Sequence, residues 1–204
     1  LVFTSSSTVY GDAKVIPTPE NYSPLEPISV YSASKLASEN LIITYSKLYG
    51  IKSIILGLAN IIGFRQSHGV IVDFIKKLRS NPEELEILGD GKQRKSYLHI
   101  SDLITAINTI MENLESLKSS YEVFNVGNTD WVDVDEIASE VVSKLGLKNV
   151  KFHHRMTTPD GRGWVGDVKF MLLDVSKLCS LGWKPRLNSK EAIRVAIEEI
   201  IKYL

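Results

Sequence analysis

The chain contains a single cysteine, Cys179. No disulfide can therefore form within it, and a reducing, cytoplasmic setting is expected. Cys179 lies on an apolar stretch with Leu178 and Leu181, which reads as core rather than as a nucleophile. No apolar run approaches the roughly 20 residues that a membrane-spanning helix needs, so no membrane association is expected. Lysine plus arginine and aspartate plus glutamate stand at 24 each. That balance leaves no basic excess of the kind that holds nucleic acid. The histidines (His68, His99, His153 and His154) have no cysteine partners at metal-ligand spacing, and adjacent His153 and His154 would point to opposite faces of a strand. No metal site is expected, and no repeat or low-complexity segment is visible. What is present is 44% hydrophobic residues over 204 positions, enough for a packed core in one or two domains.

The order of patterns along the chain is that of an α/β protein. Leu1 to Thr4 reads as a short buried strand, followed by a loop punctuated by Pro17, Pro19, Pro24 and Pro27. A helix is expected from Val30 to Tyr49, with Leu36, Leu41, Ile42 and Tyr45 as its apolar stripe and Gly50 as its stop. Ser53 to Leu58 is a strand, and strand–helix–strand at this spacing is a parallel crossover unit. Val70 to Arg79 forms an amphipathic helix ended by Asn81-Pro82. Leu85–Leu88 and Ser96–Ile100 are strands on either side of the turn Gly89-Asp90-Gly91. Ser101 is expected to cap the next helix, which runs to Asn113. Glu122–Val126 (strand), Val134–Leu145 (helix, stopped by Gly146) and Val150–His153 (strand) follow. Lys169–Leu173 (strand), Ser176–Leu181 (helix) and Ser189–Tyr203 (helix) complete the chain.

The chemistry-bearing pattern is Tyr31-Ser-Ala-Ser-Lys35. Residues four apart share one helical face. An ammonium beside a phenol favours the phenolate and makes the tyrosine usable as a proton acceptor near neutral pH. A hydroxyl from the Ser5–Ser7 segment could hydrogen-bond both that tyrosine and a substrate oxygen. The pattern alone is weak; preceded by a strand that ends in Phe3-Thr-Ser-Ser-Ser-Thr-Val-Tyr-Gly11, it is strong.

Together these two segments resemble the active site of the extended short-chain dehydrogenase/reductases, in their nucleotide-sugar epimerase/dehydratase branch, and most closely the UDP-glucose 4-epimerases. The resemblance extends to Leu85-Glu-Ile-Leu-Gly-Asp-Gly-Lys-Gln-Arg-Lys-Ser-Tyr-Leu-His-Ile-Ser-Asp102, Val123-Phe-Asn-Val-Gly127 and Leu181-Gly-Trp-Lys-Pro185. It implies the C-terminal part of a Rossmann-type parallel sheet over 1–60 and a smaller mixed α/β substrate-binding domain over 61–204. Segments 96–126 are expected to return to the first domain. It also implies NAD as cofactor, a nucleotide-sugar substrate and a homodimer in the full-length enzyme. The family's opening strand, Gly-x-x-Gly-x-x-Gly turn and helix, which hold the dinucleotide pyrophosphate, do not occur here. They are expected ahead of Leu1, unless the chain is a complete domain that has lost cofactor binding. By itself the fragment is expected to be inactive.

The resemblance assigns roles residue by residue. Ser6, four positions before Tyr10, stands for the catalytic serine, with Tyr31 as base and acid. Lys35 supports Tyr31 and binds the nicotinamide ribose. The Asp-Glu pair that serves elimination in the related dehydratases is replaced by Ser7 and Thr8, which cannot act as acid and base at neutral pH. Dehydration and decarboxylation are therefore disfavoured, and hydride removal and return remain. Asn60 and the Gly69-Val70-Ile71 backbone, with Val70 at its centre, fall at substrate contacts near the phosphate and the base. Gly57 departs from the pattern, where an arginine is usual nearby. The diphosphate arginine falls on Lys95, with Arg94 beside it, and strand alternation lets only one of the two face the cleft. Arg162-Gly-Trp-Val-Gly-Asp167 resembles an Arg-x-Gly-Asp clamp stretched by two residues. Arg162 would then meet a phosphate, Asp167 a ribose or a structural partner, and Trp164 could cover the sugar.

Overall fold

A computed structural model of the protein describes residues 1–117 and 119–204. The chain runs β1 (Val2–Ser6), α1 (Val30–Tyr49), β2 (Ser53–Leu58), β3 (Asn60–Ile62), α2 (Val70–Ser80), β4 (Glu84–Leu88), β5 (Arg94–Lys95) and β6 (Tyr97–His99). It continues with α3 (Ile100–Glu112), β7 (Tyr121–Val126), β8 (Val132–Asp133), α4 (Val134–Lys144), β9 (Lys151–Arg155), β10 (Phe170–Met171), α5 (Ser176–Cys179) and α6 (Ser189–Tyr203). The expected crossover is present: β1, β2 and β7 form a parallel sheet with β2 at its centre. Ile54, Ile55 and Leu56 of β2 are buried in succession, as a parallel strand covered on both faces requires. Among the described residues nothing pairs with the outer edge of β1.

The strands flanking Gly89-Asp90-Gly91 do not pair with each other. β4 joins β9 in parallel, β5 lies between β10 and β8, and β6 pairs with β3. A core of Ile71, Ile75, Leu85, Ile87, Ile137 and Ile197 fills the space between α2, α4, α6 and β4. A second core, with Leu56, Leu98, Leu103, Phe124 and Trp183, joins the parallel sheet to α3.

Helix α1 has the expected bounds. Ser29 Oγ accepts from Ser32 N at 3.1 Å and Ser32 Oγ accepts from Ser29 N at 3.0 Å, a reciprocal cap that satisfies two free donors. Its packing differs from expectation. The buried positions are Ser32, Glu39 and Ser46, whereas Leu41 and Tyr45 are 61% and 54% exposed. Small and polar side chains let α1 lie close on the sheet, and Ser46 Oγ donates to Ser53 Oγ of β2 at 2.7 Å. Helix α3 starts earlier than expected. His99, not Ser101, is the cap, its Nδ1 accepting from Ser101 N at 3.3 Å. An imidazole can replace the usual hydroxyl here because His99 is itself fixed, with Nε2 at 3.1 Å from Glu199 of α6.

Gly57 has a local reason. A Cβ there would come within 2.9 Å of Asn125 Oδ1. Asn125 is fully buried; it accepts from the Tyr10 hydroxyl at 2.9 Å and donates to Thr18 O at 2.9 Å and Asp174 O at 3.1 Å. The missing side chain makes room for a network that ties the first loop to β7.

Candidate active site

The carboxyl ends of β1 and β2 open into a cleft of about 760 Å³, faced on the other side by α2, β4 and the extended stretch 93–97. Carboxyl ends of parallel strands are where such sheets present ligand sites, because the loops there diverge. Ser6 and Tyr31 both line this cleft. Ser6 Oγ accepts from Thr8 N at 3.3 Å and Thr8 Oγ1 at 3.0 Å, which caps the short helical turn Ser7–Tyr10 and fixes the hydroxyl. Tyr31 is 56% exposed on the first turn of α1. Lys35 Nζ donates to Thr4 O at 2.8 Å and lies 5.8 Å from the centre of the Tyr31 ring. A carbonyl in the middle of β1 thus holds the ammonium beside the phenol. A hydroxyl, a phenol and an ammonium at one end of a cleft can exchange a proton with a bound alcohol or ketone.

Two turns below Tyr31 on α1, the buried carboxyl of Glu39 is pushed above its usual range by burial. The Ser5 hydroxyl lies close enough to offset part of that rise, yet makes no hydrogen bond of good geometry among the described residues. The folded state then holds the Glu39 proton more tightly than the unfolded chain, so stability falls as pH rises through the folded value. Glu39→Gln keeps the shape without the charge. Its melting temperature should gain on the wild type as pH is raised from about 4 to neutral. Parallel melting curves over that range would show that Glu39 is not the buried acid that burial makes it.

On the opposite wall, alternation decides between neighbours. Lys95 lines the cleft, whereas Arg94 is exposed, its guanidinium 6.0 Å from the Trp131 ring centre. Lys95 Nζ is paired with the buried Asp167 carboxylate at 2.5 Å and stands 5.4 Å from the centre of the Trp164 ring. Asp167 also accepts from Gly163 N at 3.3 Å, so the 162–167 loop is tied to Lys95. Trp164, 57% exposed, lines the cleft mouth.

Arg162 is not among the lining residues. It pairs with Asp12 at 2.8 Å and Asp160 at 2.5 Å and donates to Asp167 O at 2.8 Å. Arg162 holds the Asp160 carboxyl down to about 2. Asn60 lines the cleft with its amide donating to Ser96 O at 3.3 Å, and Val70 lines it at the start of α2. Ser6, Tyr31, Asn60, Val70, Lys95 and Asp167 therefore share one cleft, Lys35 stands behind Tyr31, and Arg94 and Arg162 lie outside.

Sequence reasoning passed over Gln93. With Lys95 and Tyr97 it forms a period-two set on the cleft face, and the same alternation that separates Arg94 from Lys95 could have found it. A second, more open groove of about 570 Å³ carries Lys77, Glu84, Glu86, His153 and Arg155, and Lys77 lines both it and the cleft. Its charges pair with one another, His153 with Glu84 at 3.6 Å and Arg155 with Glu86 at 3.0 Å.

Comparison with known proteins agrees with this geometry. Residues 1–127 match the NAD dependent epimerase/dehydratase family. A putative UDP-glucose 4-epimerase of Methanocaldococcus jannaschii is 33% identical over 199 residues, which cover 95% of this chain and 60% of that protein. A crystal structure of a UDP-galactose 4-epimerase superposes with a TM-score of 0.87 at 45% identity, covering 100% of this chain and 63% of that one. The UDP-glucose 4-epimerase of Thermus thermophilus, in complex with NAD, gives a TM-score of 0.81 at 27% identity, covering 100% and 64%. The chain thus spans about three fifths of the length of these relatives.

Proposed function

The chain belongs to the NAD dependent epimerase/dehydratase family, and on that premise we propose that the full-length protein inverts C4 of a nucleoside-diphosphate sugar of the UDP-glucose/UDP-galactose type. The observation that carries this reading is one cleft with Ser6 and Tyr31 on one wall and Lys95 on the other, and no carboxylate at positions 7 and 8. Tyr31 would take the proton of the 4-hydroxyl, with Ser6 donating a hydrogen bond to the same oxygen. The Lys35 ammonium would stabilise negative charge on the phenol oxygen. Tyr31 would return the proton once the 4-keto sugar has presented its other face.

The residues present fit the nicotinamide end of NAD: Tyr31 and Lys35 stand together at the carboxyl end of the parallel strands. Bound NAD would supply the hydride acceptor and donor. Residues 1–60 would belong to the cofactor domain and 61–204 mainly to the substrate domain, with 96–126 returning to the first. One acid/base group, Tyr31, suffices for epimerisation, whereas elimination would need a further acid and base that Ser7 and Thr8 do not offer.

The deciding experiment supplies the full-length protein with UDP-galactose and NAD and identifies the product. UDP-glucose is the expected product. A 4-keto-6-deoxy sugar would place the protein among the dehydratases instead.

Lys95 would neutralise the diphosphate, a contact made in ground and transition states alike. Lys95→Ala should therefore raise KM by about ten-fold or more, the size of one charge-assisted contact, with little change in kcat. Arg94→Ala should leave both nearly unchanged. Steady-state kinetics of the two full-length variants checks this, and equal, negligible effects would remove Lys95 from the phosphate site.

A further inference from the structure

Trp164 and its neighbour Val165 are 57% and 86% exposed. Single exposed apolar side chains are ordinary, but a large aromatic one at the mouth of a cleft calls for a reason. The turn that carries Trp164 is braced. Asp167 N donates to Trp164 O at 3.1 Å, and Gly166, with φ 90, fills the third place of that turn, where such turns take positive φ. Gly163 N donates to the buried Asp167 carboxylate, which Lys95 also holds. The indole is thus presented to the cleft from a fixed base.

Two contacts say which part of a ligand it meets. The Trp164 ring centre lies 5.4 Å from Lys95 Nζ. A phosphate oxygen bound to that ammonium would lie within about 3 Å of it, so the group joined to the phosphate comes next to the indole. That group is either the hexose or the ribose, and Gly166 decides between them. A Cβ at Gly166 would stand 2.8 Å from Ile28 O and 3.3 Å from Ser29 Cβ. Ser29 caps α1, and Tyr31 is on the first turn of that helix. The Trp164 turn therefore leans on the wall that carries Tyr31, and the indole lies on the hexose side of Lys95.

An indole offers a broad apolar face that makes no directional demand on what packs against it. The proposed reaction needs such a surface. The 4-keto sugar must present first one face and then the other, and each hydrogen bond to its ring would hold one face in place, because such bonds are directional. A wall that only excludes water lets the ring turn and still opposes its departure.

We infer that Trp164 covers the hexose: its indole packs against the sugar ring, retains the 4-keto sugar in the cleft and leaves it free to turn. This inference rests on the nucleotide-sugar reading above. Escape of the ketone is the failure that the cover prevents. By then the C4 hydride has passed to the cofactor and the hydroxyl proton to Tyr31, so a departing ketone leaves the cofactor reduced and the turnover incomplete.

The test uses the full-length protein with NAD. In a Tyr31→Phe background, where the sugar binds without turning over, calorimetry compares UDP-galactose with UDP. Trp164→Ala should weaken UDP-galactose about ten-fold, the order of one buried aromatic face, and change UDP by less than about two-fold. Trp164→Phe, which keeps a ring, should stay within about three-fold of the parent for both ligands. With Tyr31 intact, Trp164→Ala should leave reduced nicotinamide behind about ten-fold more often per turnover, since lost affinity shows chiefly as faster departure. Equal weakening of UDP and UDP-galactose would place the indole on the nucleotide and overturn the inference. So would an unchanged affinity for UDP-galactose in Trp164→Ala, or an unchanged yield of reduced nicotinamide. Failure of the parent to bind UDP at all would overturn the nucleotide-sugar reading itself, and the role of Trp164 with it.

Discussion

Tyr31→Phe in the full-length protein should lower turnover by at least about 100-fold, the usual worth of a positioned general base. Substrate affinity should stay within about two-fold, because the change removes one oxygen from a half-open ring and leaves the contacts proposed for Lys95 and Asn60 in place. The neighbourhood supports so specific an effect. Lys35 is held by Thr4 O, not by the phenol oxygen, so the helix start and the ammonium keep their places when that oxygen is removed. Ser29 and Ser32 cap α1 independently of residue 31. Single-turnover rates and the affinity for UDP-galactose, measured on the same preparation, separate chemistry from binding. Turnover near that of the wild type would mean that another group moves the proton.

Asp102→Ala should cost about 3 kcal/mol of stability and lower the melting temperature by roughly 6–12 °C. Asp102 is fully buried at the start of α3. Its Oδ2 accepts from Arg186 N at 3.1 Å and Leu187 N at 3.2 Å, and its Oδ1 from Arg186 Nε at 3.0 Å. Truncation strands two backbone donors on the chain that leads into α6, and unmade bonds at partly buried groups are costly. Arg186→Ala is the control. The Arg186 side chain is 64% exposed, so its loss should cost less than about 1 kcal/mol. Thermal denaturation of both variants tests the contrast; similar melting points would show that the buried carboxylate is not what anchors α6.

Much of this was legible in the sequence because it depends on near neighbours. The bounds of α1, the parallel pairing of β1 with β2, and the placing of Tyr31 and Lys35 on one helical face follow from periods of 3.6 and 2 and from the Gly50 end. The same local rule told that only one of Arg94 and Lys95 could face the cleft, but not which. That choice came from Asp167, 72 positions further on, whose buried carboxylate draws Lys95 inward.

Other features were out of reach for the same reason. Arg162 pairs with Asp12 and Asp160, and the first of these pairings crosses 150 positions. His99 caps α3 in place of Ser101 because Glu199, 100 positions away, steadies its ring. The face of α1 against the sheet is polar because Ser46 meets Ser53 and Glu39 lies near Ser5, although the stripe of Leu41 and Tyr45 is the more apolar one. By itself the sequence determined most of the elements and the shared helical face of Tyr31 and Lys35, since backbone geometry repeats over a few residues. Only the tertiary structure decided which charges face the cleft and which pair away from it, since pairing is set by distance in space and not along the chain.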